Sequence, residues 1–178
     1  MVGLIVLIFI GIFAAVIFID SRQKAASEPP EGVQEFDVSG GVNNHTQDSV
    51  SYDQDPPVGG PHNPIWQNQG FYDQQIRNEN AVHDLEHGAV WITYSPDLPQ
   101  DQKDTLKDIV KSKDCLLASP YPDLPSDTPV VASAWGKQLR LSSADDPRLQ
   151  QFISAYRKGP QTPEPAAGCT GGTGQPVS

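Results

Sequence analysis

The sequence predicts a small α+β domain with a mixed sheet and two main helices, set behind an N-terminal transmembrane helix. Three observations predict it. Residues 2–19 are an almost unbroken run of Val, Ile, Leu, Phe, Ala and Gly. At about 1.5 Å per residue such a helix nearly crosses a bilayer core of roughly 30 Å. Beyond residue 45, short apolar or alternating stretches that suit strands are interleaved with stretches of helical period. Their order is strand, helix, strand, strand, strand, helix, which gives a single core of about 100 residues as an α+β domain or an open α/β sandwich. No internal repeat is present.

Taken in order, residues 20–44 are polar and rich in Ser, Gln, Asn, Gly and acids. They bury too little apolar surface for a core and read as a flexible linker. Weak alternation at 33–38 and 50–52 suggests short edge strands. Residues 55–64 hold four prolines and two glycines, so they form neither helix nor central strand but a rigid loop. Trp66, Phe71 and Tyr72 follow it and can pack it against the domain. Asn80 can cap a short helix over 81–87, and Gly88 can close it in the left-handed conformation. Residues 89–94 alternate as a strand. Residues 100–111 are amphipathic, with Leu106, Ile109 and Val110 on the buried side. Residues 115–119 and 129–135 suit buried strands, and Gly136-Lys137 a turn into 138–141. Asp145-Asp146-Pro147 opens a last helix carrying Leu149, Phe152, Ile153 and Tyr156 at helical spacing. The expected domain therefore spans 45–160, and 161–178 reads as a disordered tail that Cys169 can tie back.

The apolar run decides the compartment. A cleaved signal peptide is the rival to a retained anchor, but its apolar stretch is usually only about 7–15 residues, with basic residues ahead. No basic residue precedes residue 2 here. Arg22 and Lys24 just after the run argue for a C-terminal side facing the cytoplasm. The long polar segment that follows, and the even cysteine count, argue for the outside, which is the expected face. Cys115 and Cys169 are then most economically one disulfide, closing a loop of about 55 residues and stabilising by roughly 4 kcal/mol. They lack the Cys-x-x-Cys spacing of a redox pair. A net charge of −10 excludes a nucleic-acid partner, whose phosphates demand a basic surface.

The chemistry lies in the histidines. Three of the four stand in Pro61-His62-Asn63-Pro64 and His83-Asp84-Leu85-Glu86-His87-Gly88. His83 and His87 fall at i and i+4 of the short helix, on one side. A neutral imidazole nitrogen binds a cation at little desolvation cost, so His62, His83 and His87 are the expected metal ligands. His45 can add a fourth nitrogen or stand beside them. Glu86 can bind the metal or orient an imidazole. The only methionine is Met1 and the two cysteines read as a disulfide, which argues against a sulfur-built Cu(I) site, and Zn(II) or Cu(II) is expected. His83-x-x-Glu86-His87 also spells the inverted zinc-peptidase motif, in which Glu86 would be the catalytic residue activating a zinc-bound water. That motif needs a longer helix than Gly88 allows. Trp91 and Trp135 fall on strands and read as packing.

The joined motifs carry a resemblance. They are Pro56-Pro57-x-x-Gly60-Pro61-His62, Val82-His83-x-Leu85-Glu86-His87-Gly88-x-Val90, Tyr94-x-Pro96, Val131-Ala132-Ser133-Ala134-Trp135-Gly136 and Phe152-Ile153-x-x-Tyr156-Arg157-x-Gly159-Pro160. The chain resembles, over about residues 45–160, a bacterial family of membrane-anchored proteins, domain-of-unknown-function family 3105. In that family the first loop reads Pro-Pro-Thr-Ser-Gly-Pro-His, whereas Val58 and Gly59 stand here for Thr-Ser. His45, His62, His83, Glu86 and His87 all match family positions. The resemblance implies an outward-facing domain tethered to the membrane, of a kind frequent in Gram-positive bacteria, and supplies no activity. The expectation is a membrane-tethered extracytoplasmic domain holding Zn(II) or Cu(II), with the membrane and a possible membrane-protein partner as its associations. The alternatives are a structural accessory subunit of a membrane complex and a metal-dependent hydrolase.

Overall fold

Alternation along Val90–Tyr94 sends Val90, Ile92 and Tyr94 to one face of a sheet and Trp91 to the other, yet every residue of the strand is buried. A strand covered on both faces needs helices on both sides. The computed structural model, which describes residues 28–177, supplies them. The strands are β1 (Gln34–Glu35), β2 (Gly70–Phe71), β3 (Val90–Tyr94), β4 (Leu116–Pro120), β5 (Val130–Ala134) and β6 (Lys137–Leu141). The helices are α1 (Asn78–Glu86), α2 (Gln100–Ser112) and α3 (Pro147–Tyr156). They form one six-stranded mixed sheet in the order β1-β6-β5-β3-β4-β2. β4 runs parallel to both β3 and β2, while β5 and β6 run antiparallel as a hairpin beside β3.

On one face α2 presents Leu106 and Val110, and α3 presents Leu149, Phe152, Ile153 and Tyr156, to Val90, Ile92, Tyr94, Val130 and Leu141. On the other, α1 packs Ala81, Val82 and Leu85 on Trp91, Leu117 and Trp135. The Trp91 indole donates to Ser119 Oγ at 2.9 Å, so the one polar atom of this ring is satisfied in the core. Trp91 and Trp135 are packing residues, as expected. This arrangement positions the site, because α1 is buried along its length from Glu79 to Glu86. Its inner side faces the sheet, and its outer side lies under loops that carry histidine.

The α+β class and the mixed sheet are as expected, but three helices are present where two main ones were predicted. The third is α1, which the sequence places at 81–87 and which begins at Asn78. Asn80 does not cap it. Its carbonyl accepts from Gln67 N–H and its side-chain amide donates to the Ile65 carbonyl, so it holds the incoming loop instead. Gly88 does close the helix, at φ +91°, with its N–H on the Leu85 carbonyl. Residues 50–52 make no strand. Val50 N–H goes to Glu79 Oε1, and Tyr52 Oη donates to the Pro61 carbonyl at 2.8 Å.

The edge strand expected within 33–38 is present as β1, which pairs with β6 at the sheet edge, and a 3-10 turn follows at Ser39–Gly41 inside the expected linker. A Cβ at Gly41 would lie 2.5 Å from Gly60 Cα, so only glycine lets this turn approach the proline-rich loop. The tail expected to be disordered is instead laid along the domain. Asn68 N–H donates to the Thr173 carbonyl, Thr173 N–H to Trp66 and Val177 N–H to Phe71. Cys169 is joined to Cys115 at 2.18 Å between sulfurs. Apart from the disulfide these contacts use the tail's peptide groups, to which the Asn68 side-chain amide also bonds, and they leave no side-chain periodicity in the tail to read. The apolar run at 2–19 lies outside the described residues. Among those described, no helix is long and apolar enough to cross a membrane.

α3 starts as its sequence dictates. Asp146 caps it, accepting from Arg148 N–H at 2.9 Å, and Pro147 takes the first helical position. The Arg148 side chain beside it holds the Asp146 carboxyl below its ordinary 3.8. Replacing Asp146 with Ala should cost about 1 kcal/mol at neutral pH by chemical denaturation. A carboxyl depressed by folding stabilises above its unfolded value and loses that contribution as pH falls through its folded value. The gap between parent and variant should therefore close as the solution is acidified below 3.8.

Candidate metal centre

Two loops pair main chain to main chain to begin the site. His62 N–H donates to the Asn44 carbonyl at 2.9 Å and Thr46 N–H to the His62 carbonyl at 2.7 Å, which sets His45 and His62 side by side as a parallel bridge. Their rings lie 4.9 Å apart, and the His45 ring stacks on His83 at 5.0 Å. α1 brings His83 and Glu86 up from below. One donor atom each from His45, His62, His83 and Glu86 lies within 4.8 Å of the other three. His62, His83 and Glu86 are buried, while the His45 side chain is 40% exposed and is the group's face to solvent.

Tautomers follow from the neighbours. His62 Nδ1 stands 2.9 Å from the Gly60 carbonyl, and His83 Nδ1 2.6 Å from the Asn63 carbonyl. A carbonyl oxygen only accepts, so each Nδ1 carries the hydrogen and each neutral ring turns its Nε2 lone pair inward. His62 Nε2 faces Glu86 Oε2 at 3.0 Å, and neither atom has a hydrogen-bond partner among the described residues. Glu86 Oε1 is held by Asn43 N–H at 2.7 Å, which aims the second oxygen at the imidazoles. Buried polar atoms left without partners are costly. Here two of them converge, together with the Nε2 lone pair of His83 and a ring nitrogen of His45. Burial pushes the His83 imidazole down to about 4, the neighbouring rings push the same way, and the Asn63 carbonyl opposes them. The ring is therefore neutral and free to donate its lone pair at neutral pH.

His87 is placed differently from expectation. It is not within the four-residue group. Its Nδ1 lies 2.7 Å from the Gly168 carbonyl, and its Nε2 lies 2.9 Å from His83 Nε2 and 3.8 Å from Glu164 Oε2. The sequence put His62, His83 and His87 first and His45 and Glu86 second. The geometry brings His45 and Glu86 in and leaves His87 beside the group, buried, with its Nδ1 on the Gly168 carbonyl. Three kinds of partner were missed. The carbonyls of Gly60, Asn63 and Gly168 carry no side-chain signal. Glu164 sits in a segment of Pro, Gly and Thr that reads as disordered. Trp66, expected only to pack its loop, lies against His83 and His87 at 5.6 and 5.0 Å between ring centroids.

Asp84, on the same helix, is fully buried, and neither of its oxygens has a hydrogen-bond partner among the described residues. Burial pushes its carboxyl well above 3.8, against the opposing pull of Lys158. Burial thus disfavours its anionic form, and it stands outside the four-residue group.

An α+β domain that buries a carboxylate under three imidazoles is the class that the fold and the site define. The chain belongs to the family described as "Protein of unknown function (DUF3105)", whose model matches residues 44–171. That span contains all four histidines, Glu86 and both cysteines. No curated protein and no solved structure matches the chain.

The depressed His83 value makes a testable statement about the metal-free protein. A histidine that ionises near 6.5 when unfolded and near 4 when folded leaves the unfolded chain binding more protons between those values. Stability contributed through His83 therefore rises with pH across that window and is flat above it. His83→Asn keeps a donor for the Asn63 carbonyl and should flatten this part of the profile, as read from denaturation midpoints at a series of pH values with chelator present.

Proposed function

We propose that this protein is a membrane-tethered extracytoplasmic domain that binds one Zn(II) or Cu(II) ion through Nε2 atoms of His45, His62 and His83 and Oε2 of Glu86. One observation carries the reading. Two buried rings, His62 and His83, spend Nδ1 on main-chain carbonyls, and their free nitrogens converge with the unpartnered oxygen of a buried carboxylate. Metal-binding histidines are oriented in this way, the second N–H fixing the tautomer and the ring plane. A tetrahedral ion with bonds of about 2.0–2.1 Å keeps its donors roughly 3.3 Å apart. The 3.0 Å between His62 and Glu86 is close to that, and the 4.0 Å between His45 and Glu86 is the looser edge. The looser ligand is also the exposed one, so it can swing in as an ion enters. A set of three imidazoles and one carboxylate without sulfur suits Zn(II) or Cu(II).

The site supports binding over hydrolysis. In the inverted zinc-peptidase reading Glu86 must be free to activate water. Here one of its oxygens is held by Asn43 N–H and the other points at His62. Cavities of about 610, 540 and 320 Å³ among the described residues are lined by none of the four donor residues. Tethering rests on the apolar run at residues 2–19, and the outward face on the joined Cys115 and Cys169.

Elemental analysis of the full chain, expressed without a polyhistidine tag, tests the proposal. The parent should carry one equivalent of zinc or copper, and His62→Ala or His83→Ala should lower metal to background while circular dichroism still reports a folded domain. A folded, metal-free parent that takes up neither Zn(II) nor Cu(II) would return the cluster to a structural role, knitting the proline-rich loop to α1.

A further inference from the structure

His87 is left over by the four-residue site, and its surroundings are too ordered for an incidental surface histidine. Its side chain is only 5% exposed. Its Nδ1 hydrogen is committed to the Gly168 carbonyl at 2.7 Å, so its Nε2 presents a lone pair. That lone pair meets the lone pair of His83 Nε2 at 2.9 Å, because His83 has likewise committed Nδ1, to Asn63. Two neutral acceptors at this distance repel unless a cation lies against both. Beside them, 3.8 Å from His87 Nε2, is the Glu164 carboxylate, which is 39% exposed and so reaches solvent.

The segment that carries Glu164 and Gly168 is fastened at several points. Glu164 N–H donates to the Glu86 carbonyl at 3.0 Å, which ties the outer acid to the helix residue that supplies the inner one. Lys158 Nζ donates to the carbonyls of Pro165 and Ala167, and Cys169 is joined to Cys115. The Trp66 indole covers the His83 and His87 rings.

We propose a second, outer metal position, formed by His87 and Glu164, which shares His83 with the inner position formed by His45, His62 and Glu86. This inference rests on the metal reading given above. His83 Nε2 has one lone pair and can serve one ion at a time, so the two positions exclude each other. The protein then holds one ion, not two. The outer position, with its exposed acid, is where a divalent ion of the zinc or copper class lands and leaves. His83 passes it to the buried position without a stage of bare, ligand-free ion. A separation of 2.9 Å between the two nitrogens, at bond lengths of about 2.0–2.1 Å, corresponds to an N–metal–N angle of roughly 90°. That angle suits a loosely completed outer site in which water fills the remaining positions.

The test is metal exchange on the full chain, loaded with Zn(II) and mixed with an excess of a chromophoric chelator. Parent, His87→Ala and Glu164→Gln proteins are compared, the last being a surface change that leaves the fold intact. All three should hold one equivalent of Zn(II) at equilibrium, and both variants should release it more slowly than the parent. Unchanged release in both variants would overturn the outer position while leaving the inner site standing. Loss of the equivalent from a folded His87→Ala protein would overturn it too, by making His87 a ligand of the main site. Two equivalents in the parent would contradict the exclusion that His83 imposes. A parent that binds no Zn(II) would instead remove the metal reading itself, and this inference with it.

Discussion

Main-chain carbonyls fix what the histidines can do. The oxygens of Gly60, Asn63 and Gly168 each take an imidazole Nδ1 hydrogen, and these three hydrogen bonds turn three Nε2 lone pairs toward one region of the domain. Without them each ring would be free to flip, and the lone pairs would have no common direction. The carbonyls that orient His62 and His83 come from the proline-rich loop, and the one that orients His87 comes from the tail, so the four-residue group needs the loop seated on α1 and the His87 position needs the tail. This explains why a nine-residue helix is buried almost end to end. Its inner side is held by Trp91, Leu117 and Trp135, and its outer side is covered by the chain that supplies the carbonyls.

The seating of those segments is largely a matter of main-chain pairing and close approach. Gly41 lies against Gly60, His45 pairs with His62, Thr173 with Gln67, and Cys169 with Cys115. Each contact joins residues distant in the chain to the neighbourhood of α1. The sheet contributes rigidity, since Val90–Tyr94 is buried on both faces and paired on both edges. A rigid sheet, a short helix fixed to it and two straps over the helix give imidazoles defined positions without a long helical scaffold.

Much of this was legible in the chain, and the boundary is physical. Alternation exposed the strand at Val90–Tyr94, an apolar run exposed the buried strand at Val130–Ala134, and helical spacing exposed α2 and α3, whose apolar side chains gather on one face. Asp146-Pro147 announced a helix start and Gly88 a helix end through backbone chemistry that few other residues permit. The identities of His45, His62, His83, Glu86 and His87 were visible as well. Their grouping was not, since the i and i+4 spacing of His83 and His87 suggested a shared ion, whereas three-dimensional pairing put His45 and Glu86 with His83. Of the tail's order only the Cys169 tie was legible. Its other holds use its own peptide groups, which meet the main chain of Trp66, Asn68 and Phe71 and the side chains of Trp66 and Asn68, and peptide groups look alike in every sequence.

The central claim is that imidazole nitrogens and one carboxylate oxygen meet a single ion. X-ray absorption spectroscopy at the zinc or copper edge of the loaded full chain reads this directly. The account predicts a first shell of nitrogen and oxygen donors at about 2.0–2.1 Å, with the outer-shell scattering of several imidazole rings and no sulfur contribution. A shell of oxygen donors alone, without imidazole scattering, would mean that the ion sits elsewhere on this acidic surface and would contradict the account.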